Sequence, residues 1–99
     1  MSTVEVADNP AEHRYEAFVG GALAGYAEYR DGPGRRIFTH TKVDDAFEGH
    51  GVGGALASAA LDDVRAAGLE VVARCPFIAA YIDRHPQYAD LVHHPDRPT

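Results

Sequence analysis

The alternation of apolar and polar residues predicts an antiparallel meander in the first half of the chain. The predicted strands are residues 3–7, 13–19, 22–29 and 35–43. Gly20-Gly21 is typical of a two-residue hairpin turn, and Asp31-Gly32-Pro33-Gly34 is typical of a second turn. Gly25, inside the third strand, indicates a bulge or a close approach by another backbone.

Alternation along the fourth strand divides its side chains between the two faces of the predicted sheet. One face carries Ile37, Thr39, Thr41 and Val43. The other face carries Phe38, His40 and Lys42. This division decides which of the polar residues near the end of the strand can meet in one cleft.

A helical period follows the fourth strand and predicts a helix over residues 51–67. Its apolar stripe consists of Val52, Leu56, Ala60, Val64 and Ala67, flanked by Ala55 and Ala59. Gly68 stands where a C-terminal cap belongs. The nearly all-apolar run Glu70–Cys75 predicts a buried strand, and the crossover through the helix makes it parallel to the fourth strand.

Pro76 then opens a short helix over residues 77–84, which His85-Pro86 ends. Residues 87–92 form a further short element, and residues 93–99 are predicted to be a disordered tail. The prediction is one domain over residues 3–92 with an α+β fold. It consists of an antiparallel meander, a crossover helix, a parallel strand and a short C-terminal helix.

Composition narrows the class of partner. The net charge is −6 and the nine Lys and Arg residues are scattered, which argues against binding to nucleic acid or an anionic membrane. The same charge permits a cationic acceptor such as an amine. A single cysteine excludes an internal disulfide, so a cytoplasmic location is expected. We expect no membrane span and no secretory signal, because no apolar run approaches the required length.

Four glycines fall within six residues at the start of the crossover helix, at positions 49, 51, 53 and 54. Backbone N–H groups with so little side-chain cover can point at one spot, and the helix dipole adds positive potential there. The stretch therefore predicts an anion site for phosphate or pyrophosphate. The alternative is a flexible loop that binds nothing.

The identity of the phosphate site follows from what surrounds the glycines. A P-loop needs Gly-Lys-Ser/Thr, but Ala55-Leu56 follows Gly54. The dinucleotide pattern G-x-G-x-x-G is present, with Glu70 about twenty residues further on. However, the residues Asp44–Glu48 separate the strand from the first glycine, and the chain is too short for two nucleotide-binding halves.

The stretch E-G-H-G-V-G, from Glu48 to Gly53, resembles the Q/R-x-x-G-x-G/A motif of GNAT-type N-acetyltransferases, which bind the pyrophosphate of acetyl-coenzyme A. Glu48 stands where that family usually has Gln or Arg. H-T-K-V at residues 40–43 and R-C-P-F-I-A-A-Y-I-D-R-H-P-Q-Y-A-D-L-V at residues 74–92 resemble a short GNAT-like subfamily with a single cysteine before a Pro-Phe/Tyr pair. The resemblance covers residues 4–92.

The resemblance implies a GNAT-like core with a splay between the strand at Phe38–Val43 and the strand at Val71–Cys75. The pantetheine arm of the coenzyme would lie in this gap. It also implies an acetyl-CoA-dependent N-acetyltransferase, with acetyl-coenzyme A as donor substrate and an amine as acceptor. The chain lacks the pair of helices that normally lies between the first two strands and helps form the acceptor pocket. The alternative is therefore a non-catalytic module that binds acyl-coenzyme A or a nucleotide.

Two catalytic routes stay open. The amine attacks the thioester directly, with His40 or a water as base, or Cys75 takes the acetyl group and passes it on. His40 is expected to face the same cleft as Cys75. The alternatives are a small buried hydrophobic residue at Cys75 and a hydrogen-bonded strand residue at His40. Tyr81 and Tyr88 are candidate proton donors to the leaving thiolate.

The candidate coenzyme-binding residues lie on the strand end, the glycine loop and the short helix. They are Thr41, Lys42, Val43, Glu48, Gly49, His50, Gly51, Val52, Gly53, Gly54, Tyr81, Arg84 and His85. Within this set, the cationic side chains would contact the coenzyme phosphates, and the backbone at Thr41–Val43 would pair with the pantetheine amide. No metal site is expected, because His93-His94 lies in the tail without a further ligand at suitable spacing.

Overall fold

The computed structural model describes residues 3–93, which form a five-stranded sheet with its helices on one face. The strands are β1 (Val4–Asn9), β2 (Arg14–Val19), β3 (Ala22–Gly32), β4 (Arg35–Val43) and β5 (Glu70–Ala73), in that spatial order. The first four are antiparallel, and β5 is parallel to β4. Helix α1 (Val52–Ala66) connects β4 to β5, and helix α2 (Pro76–Arg84) follows β5. The predicted α+β architecture is confirmed.

Three short 3-10 helices fill the connections, at Pro10–Glu12, Asp45–Phe47 and Pro86–Leu91. The last of these occupies the element predicted over residues 87–92. The backbone N–H of His93 then donates to the Val71 carbonyl at 2.7 Å, which places the chain beside the free edge of β5. Residues 94–99, the greater part of the predicted tail, lie outside the described residues.

Two strands are longer than predicted, because their pairing with the neighbouring strand continues into residues that were expected to form turns. β1 continues to Asn9, which pairs with Arg14 across the sheet. β3 continues to Gly32, so that the second turn consists of Pro33-Gly34 alone. Asp31, which was assigned to that turn, lies opposite Arg36 on β4 instead.

Helix α1 packs its apolar stripe on the sheet and encloses the core. Its buried residues are Val52, Leu56, Ala57, Ala60, Leu61 and Val64. The prediction that Ala67 belongs to this stripe is wrong: Ala67 is exposed and caps the helix C-terminus. Gly68 follows with φ +72°, in the left-handed conformation expected of a C-terminal cap.

Gly25 on β3 fulfils its predicted role. A Cβ atom at this position would lie 2.6 Å from the Lys42 carbonyl oxygen and 3.1 Å from a methyl group of Val52. The register of β2 and β3 also shifts beside it, as a bulge requires. The absence of a side chain therefore lets the start of α1 lie directly against β3 and β4.

The opposite face of the sheet carries no helix within residues 3–93. On this open face the Arg14 guanidinium lies 4.8 Å from the centre of the Tyr26 ring, and the rings of Tyr26 and His40 are 6.2 Å apart. Partly exposed and charged side chains alternate with core residues along these strands. The open face agrees with the lack of a helix pair between the first two strands.

Arg36 ties the end of the sheet farthest from the glycine loop to α1. Its guanidinium binds both carboxylate oxygens of Asp31, at 2.7 and 3.0 Å, and donates to the Tyr15 hydroxyl at 2.6 Å. The Tyr15 hydroxyl in turn donates to Asp63 of α1 at 2.5 Å. These contacts join β2, β3, β4 and α1 and raise the pKa of Arg36, chiefly through the hydrogen bonds to Asp31.

Tyr29 beside this network makes stability depend on pH in the alkaline range. Burial of its ring and the hydrogen bond that its hydroxyl donates to Asp8 at 2.7 Å raise the pKa of Tyr29 to about 12. The folded state therefore prefers the neutral phenol. This contribution to stability is complete below the unfolded-state pKa of about 10 and is lost as the pH rises through about 12.

We expect the free energy of unfolding to fall between about pH 9 and about pH 11.5, a range that spans the unfolded-state pKa of Tyr29. The fall should be smaller in Tyr29→Phe. Urea titrations at the two pH values measure both differences. An equal fall in the two proteins would contradict the assignment to Tyr29.

Candidate functional site

The glycine loop joins β4 to α1 through a single 3-10 turn. Asp44 starts this turn, and its carboxylate accepts the Ala46 N–H at 2.9 Å. The loop then passes through Gly49 at φ +83° and Gly51 at φ +75°, which is the N-cap of α1. Both values lie in the left-handed region, so glycine is the residue that forms this path without strain.

A row of backbone N–H groups without partners lies at the start of α1. Within residues 3–93, no hydrogen bond is made by the N–H groups of Gly51, Val52, Gly53 and Gly54. The first bond of the helix runs from Ala55 N to the Gly51 carbonyl at 3.0 Å. A Cβ atom on Gly51 or Gly54 would meet nothing within 4 Å, so both glycines border open space. This geometry suits an anion with several oxygens.

The side chains of the loop and of the adjoining strand end differ in what they can contribute to this row. The His50 ring is turned toward Phe47, with its Nδ1 atom 3.0 Å from the Phe47 carbonyl oxygen. Glu48 is exposed, whereas Lys42, which is also exposed, pairs with Tyr26 on the open face of the sheet. The side chain at Gly53 is absent for a reason of packing, because a Cβ atom there would lie 2.7 Å from the tip of the Phe77 ring.

β4 and β5 separate along the half of β4 that leads to the glycine loop. Their pairing ends at Phe38 and Ala73, after which the N–H groups of Arg74 and Cys75 both donate to the Phe38 carbonyl at 3.0 Å. β4 continues to Val43, so residues 39–43 have no strand partner on this side within the described chain. The gap corresponds to the splay that the resemblance implied.

Cys75 lies at this gap, but not on the strand. The prediction that β5 extends to Cys75 is wrong, because β5 ends at Ala73. The Phe38 carbonyl accepts hydrogen bonds from both the Arg74 and the Cys75 N–H groups, and the chain turns away from β4 there. Cys75 is instead the N-cap of α2, with 2% of its surface exposed. Its Sγ atom donates to the Thr41 hydroxyl at 3.3 Å. The gap thus brings Thr41 and Cys75 together.

His40 does not meet Cys75, contrary to expectation. Tyr29 pairs with Phe38 and Glu28 pairs with His40, so Thr39 is an extra residue and forms a β-bulge. The bulge reverses the alternation: Phe38 is fully buried, and Thr41 then lies on the helix face with it. The predicted faces of β4 are therefore wrong, and His40 lies exposed on the open face.

The aromatic candidates cluster at the far end of α2. The Tyr81 and His85 rings stack with 3.9 Å between their centres, and His85 Nδ1 lies 2.8 Å from the Tyr81 carbonyl oxygen. Arg84 is exposed beside them. The Tyr88 hydroxyl donates to Asp62 at 2.8 Å, and burial is the main cause that raises the pKa of Tyr88.

Tyr88 is also distant from the anion site. Asp62, its partner, follows Val52 by ten residues on α1, which corresponds to about 15 Å along the helix axis. This distance and the hydrogen bond separate Tyr88 from the glycine loop. Tyr81, Arg84 and His85 belong to the same helix as Cys75, one to three turns further along it.

Two residues of the gap were missed as contributors through their side chains. Phe77 enters the sequence analysis only as part of the Pro-Phe pair. Its position outside the buried stripe of Ile78 and Ile82 indicates that its side chain does more than pack α2 on the core. Thr41 was expected to act through its backbone. Its hydroxyl contact with Cys75 depends on the bulge, for which the sequence of β4 carries no signal.

The comparison with protein families decides the classification. A family model described as GCN5-related N-acetyl-transferase matches residues 14–91. This range includes both helices and every strand except β1. The chain belongs to this family. Members of the GCN5-related family are N-acetyltransferases.

Two solved structures have a similar fold. The solution structure of a GCN5-like protein from Staphylococcus aureus is 24% identical, with a TM-score of 0.69 over 98% of this chain and 100% of that one. A ribosomal-protein-alanine N-acetyltransferase from Brucella melitensis biovar Abortus 2308 is 20% identical, with a TM-score of 0.57. The similarity covers 87% of this chain and 65% of the Brucella protein. At these identities the likeness concerns the fold.

Two further findings complete the comparison. No curated protein matches the sequence significantly. Neither helix in residues 3–93 is long and apolar enough to cross a membrane.

Proposed function

We propose that the protein transfers an acetyl group from acetyl-coenzyme A to an amine. The observation that carries this proposal is the open row of N–H groups at Gly51–Gly54, in a chain of the GCN5-related family. Four unpaired donors at the positive end of a helix stabilise the pyrophosphate of the coenzyme. An apolar substrate would leave these donors unpaired, at a cost in binding free energy.

The gap between β4 and β5 provides the path for the rest of the donor. The pantetheine amides pair with the free backbone edge of residues Thr41–Val43, as an added strand would. The thioester then lies beside Thr41 and Cys75, whose side chains face each other. His50, in the glycine loop, is the proposed side-chain contact of the coenzyme phosphates. Lys42 lies on the open face with Tyr26, and Tyr81, Arg84 and His85 lie at the far end of α2 beside Tyr88, so they are given no role at the anion site.

Cys75 is the proposed nucleophile. Its thiol loses its proton to solvent or to the departing group, and Sγ attacks the carbonyl carbon of the thioester. The bond from this carbon to the coenzyme sulfur breaks, and coenzyme A leaves as the thiol. The amine then attacks the new thioester on Cys75, which restores the thiol and forms the amide. The backbone N–H groups of Phe77 and Ile78, in the first turn of α2, polarise the carbonyl oxygen.

Direct attack by the amine, with His40 as base, is the second route. Its geometry is less favourable, because His40 lies on the open face and Cys75 lies in the gap. His40 would act on this route only if the amine crossed the sheet edge at the Thr39 bulge.

The burial of Cys75 and the open face also favour a non-catalytic module that holds acyl-coenzyme A.

The assay that separates these functions measures binding and turnover together. We expect calorimetry with acetyl-coenzyme A to give one site per chain, and a panel of polyamines, lysine peptides and small amines to contain at least one substrate. Turnover is read as free coenzyme A released with time. Binding without release for any amine would establish the non-catalytic module, and salt-sensitive binding to DNA or RNA would contradict the amine assignment.

A further inference from the structure

Phe77 is a large apolar side chain left partly exposed beside the anion site. Within residues 3–93, only Leu23 and Phe77 are large apolar residues with more than a third of their surface exposed, at 42% and 37%. The neighbours of Phe77 on α2 behave differently, since Ile78 is fully buried and Ile82 is 6% exposed. Packing of α2 on the core therefore does not account for an aromatic residue at position 77.

The ring of Phe77 reaches across to the start of α1. A Cβ atom on Gly53 would lie 2.7, 3.2 and 3.4 Å from three carbon atoms at the far edge of the ring. The backbone of Gly53 therefore forms the surface on which the ring rests. Gly53 carries one of the unpaired N–H groups, so the ring lies beside that row.

The position of Phe77 along the chain decides which half of the coenzyme it meets. Coenzyme A has two halves that leave the pyrophosphate in opposite directions: a phosphorylated adenosine, and the pantetheine arm that carries the thiol. Phe77 follows Cys75 by two residues, and Cys75 contacts Thr41 in the gap. Phe77 thus links Gly53 of the anion site to Cys75 of the gap, along the proposed course of the pantetheine arm.

We propose that Phe77 is a specificity residue that recognises the pantetheine arm of the donor. This inference rests on the proposed function. The first unit of the arm after the pyrophosphate carries two methyl groups, which cover the exposed part of the ring and remove apolar surface from water. Phe77 thereby distinguishes coenzyme A from nucleotides that offer the same phosphate groups without an apolar arm.

The test compares two probes that share the nucleotide half with its pyrophosphate, namely coenzyme A and adenosine 3′-phosphate 5′-diphosphate. In Phe77→Ala we expect calorimetry to show coenzyme A binding about tenfold more weakly, while the nucleotide binds as in the wild type. Phe77→Leu, which keeps an apolar side chain, should lose less. Leu23→Ala removes the other exposed apolar side chain, which does not contact Gly53, and should change neither affinity.

Three results would overturn the inference. Equal weakening of both probes would mean that the ring only supports the loop or stacks on adenine. Unchanged affinity for coenzyme A would mean that the ring makes no contact with the arm. Greater loss in Leu23→Ala than in Phe77→Ala would locate the arm elsewhere. If the wild-type protein binds no coenzyme A at all, the proposed function itself fails, which is a separate outcome. Melting temperatures of all variants confirm that the proteins are folded.

Discussion

Gly51→Asp is expected to weaken the binding of acetyl-coenzyme A about 100-fold or more. The new carboxylate would stand at the N-cap of α1, in open space beside the unpaired N–H groups. Repulsion between two charges about 4 Å apart amounts to about 4 kcal/mol at an effective dielectric constant of about 20, and about 70% of this value corresponds to a loss of affinity of about 100-fold. Isothermal calorimetry measures the change directly.

The same substitution should leave the fold intact, which makes the result interpretable. Aspartate tolerates the left-handed conformation of Gly51 better than most residues, and a carboxylate at a helix start interacts favourably with the helix dipole. Gly51→Asn has the same shape without the charge, and it should lose much less affinity. Gly34→Asp is the matched control, because Gly34 has φ +69° and open space around it in the turn between β3 and β4. Full affinity in Gly51→Asp would rule out the anion site.

Cys75→Ala should lose acetyl transfer by about 100-fold or more while binding coenzyme A with wild-type affinity. The proposed route passes the acetyl group through Sγ, and no other cysteine exists in the chain to replace it. Cys75→Ser should also be slow, because an unassisted hydroxyl is a poor nucleophile at neutral pH. Both rates are measured as release of free coenzyme A with the best amine substrate.

A covalent intermediate gives an independent measurement for Cys75. Incubation of the wild-type protein with acetyl-coenzyme A in the absence of an amine should add one acetyl group, which mass spectrometry should find on the peptide that contains Cys75. Thr41→Val removes the hydroxyl that accepts the Sγ proton and keeps the side-chain shape, so it tests whether this contact positions the thiol. If Cys75→Ala keeps most of its activity and no adduct forms, Cys75 is core packing, and direct attack by the amine becomes the better account.

The sequence predicted those features that depend on neighbours along the chain. The hairpin at Gly20-Gly21, the C-terminal cap at Gly68 and the short helix that begins at Pro76 each follow from the backbone preferences of one or two residues. The order of strands and the parallel direction of β5 follow from alternation and from the length of the crossover. The glycine loop at the start of α1 was also found in this way, because an exposed helix start is a local property.

The sequence could not predict which side chains meet across the sheet. The bulge at Thr39 results from the pairing of β3 with β4, and the residues of β4 alone carry no signal for it. A single extra residue reverses the alternation, because successive side chains point to opposite faces. This reversal brings Thr41 to Cys75 and moves His40 to the open face.

The end of β5 was also decided by tertiary structure. The sequence from Glu70 to Cys75 is apolar enough to continue as a strand, yet the Phe38 carbonyl accepts both the Arg74 and the Cys75 N–H groups, and the chain turns there into α2. The position of Phe77 against Gly53 depends on this turn and on the packing of two helices that are distant in sequence. The amino-acid sequence thus determined the elements and the glycine loop at the start of α1, whereas contacts between distant residues determined which side chains lie beside it.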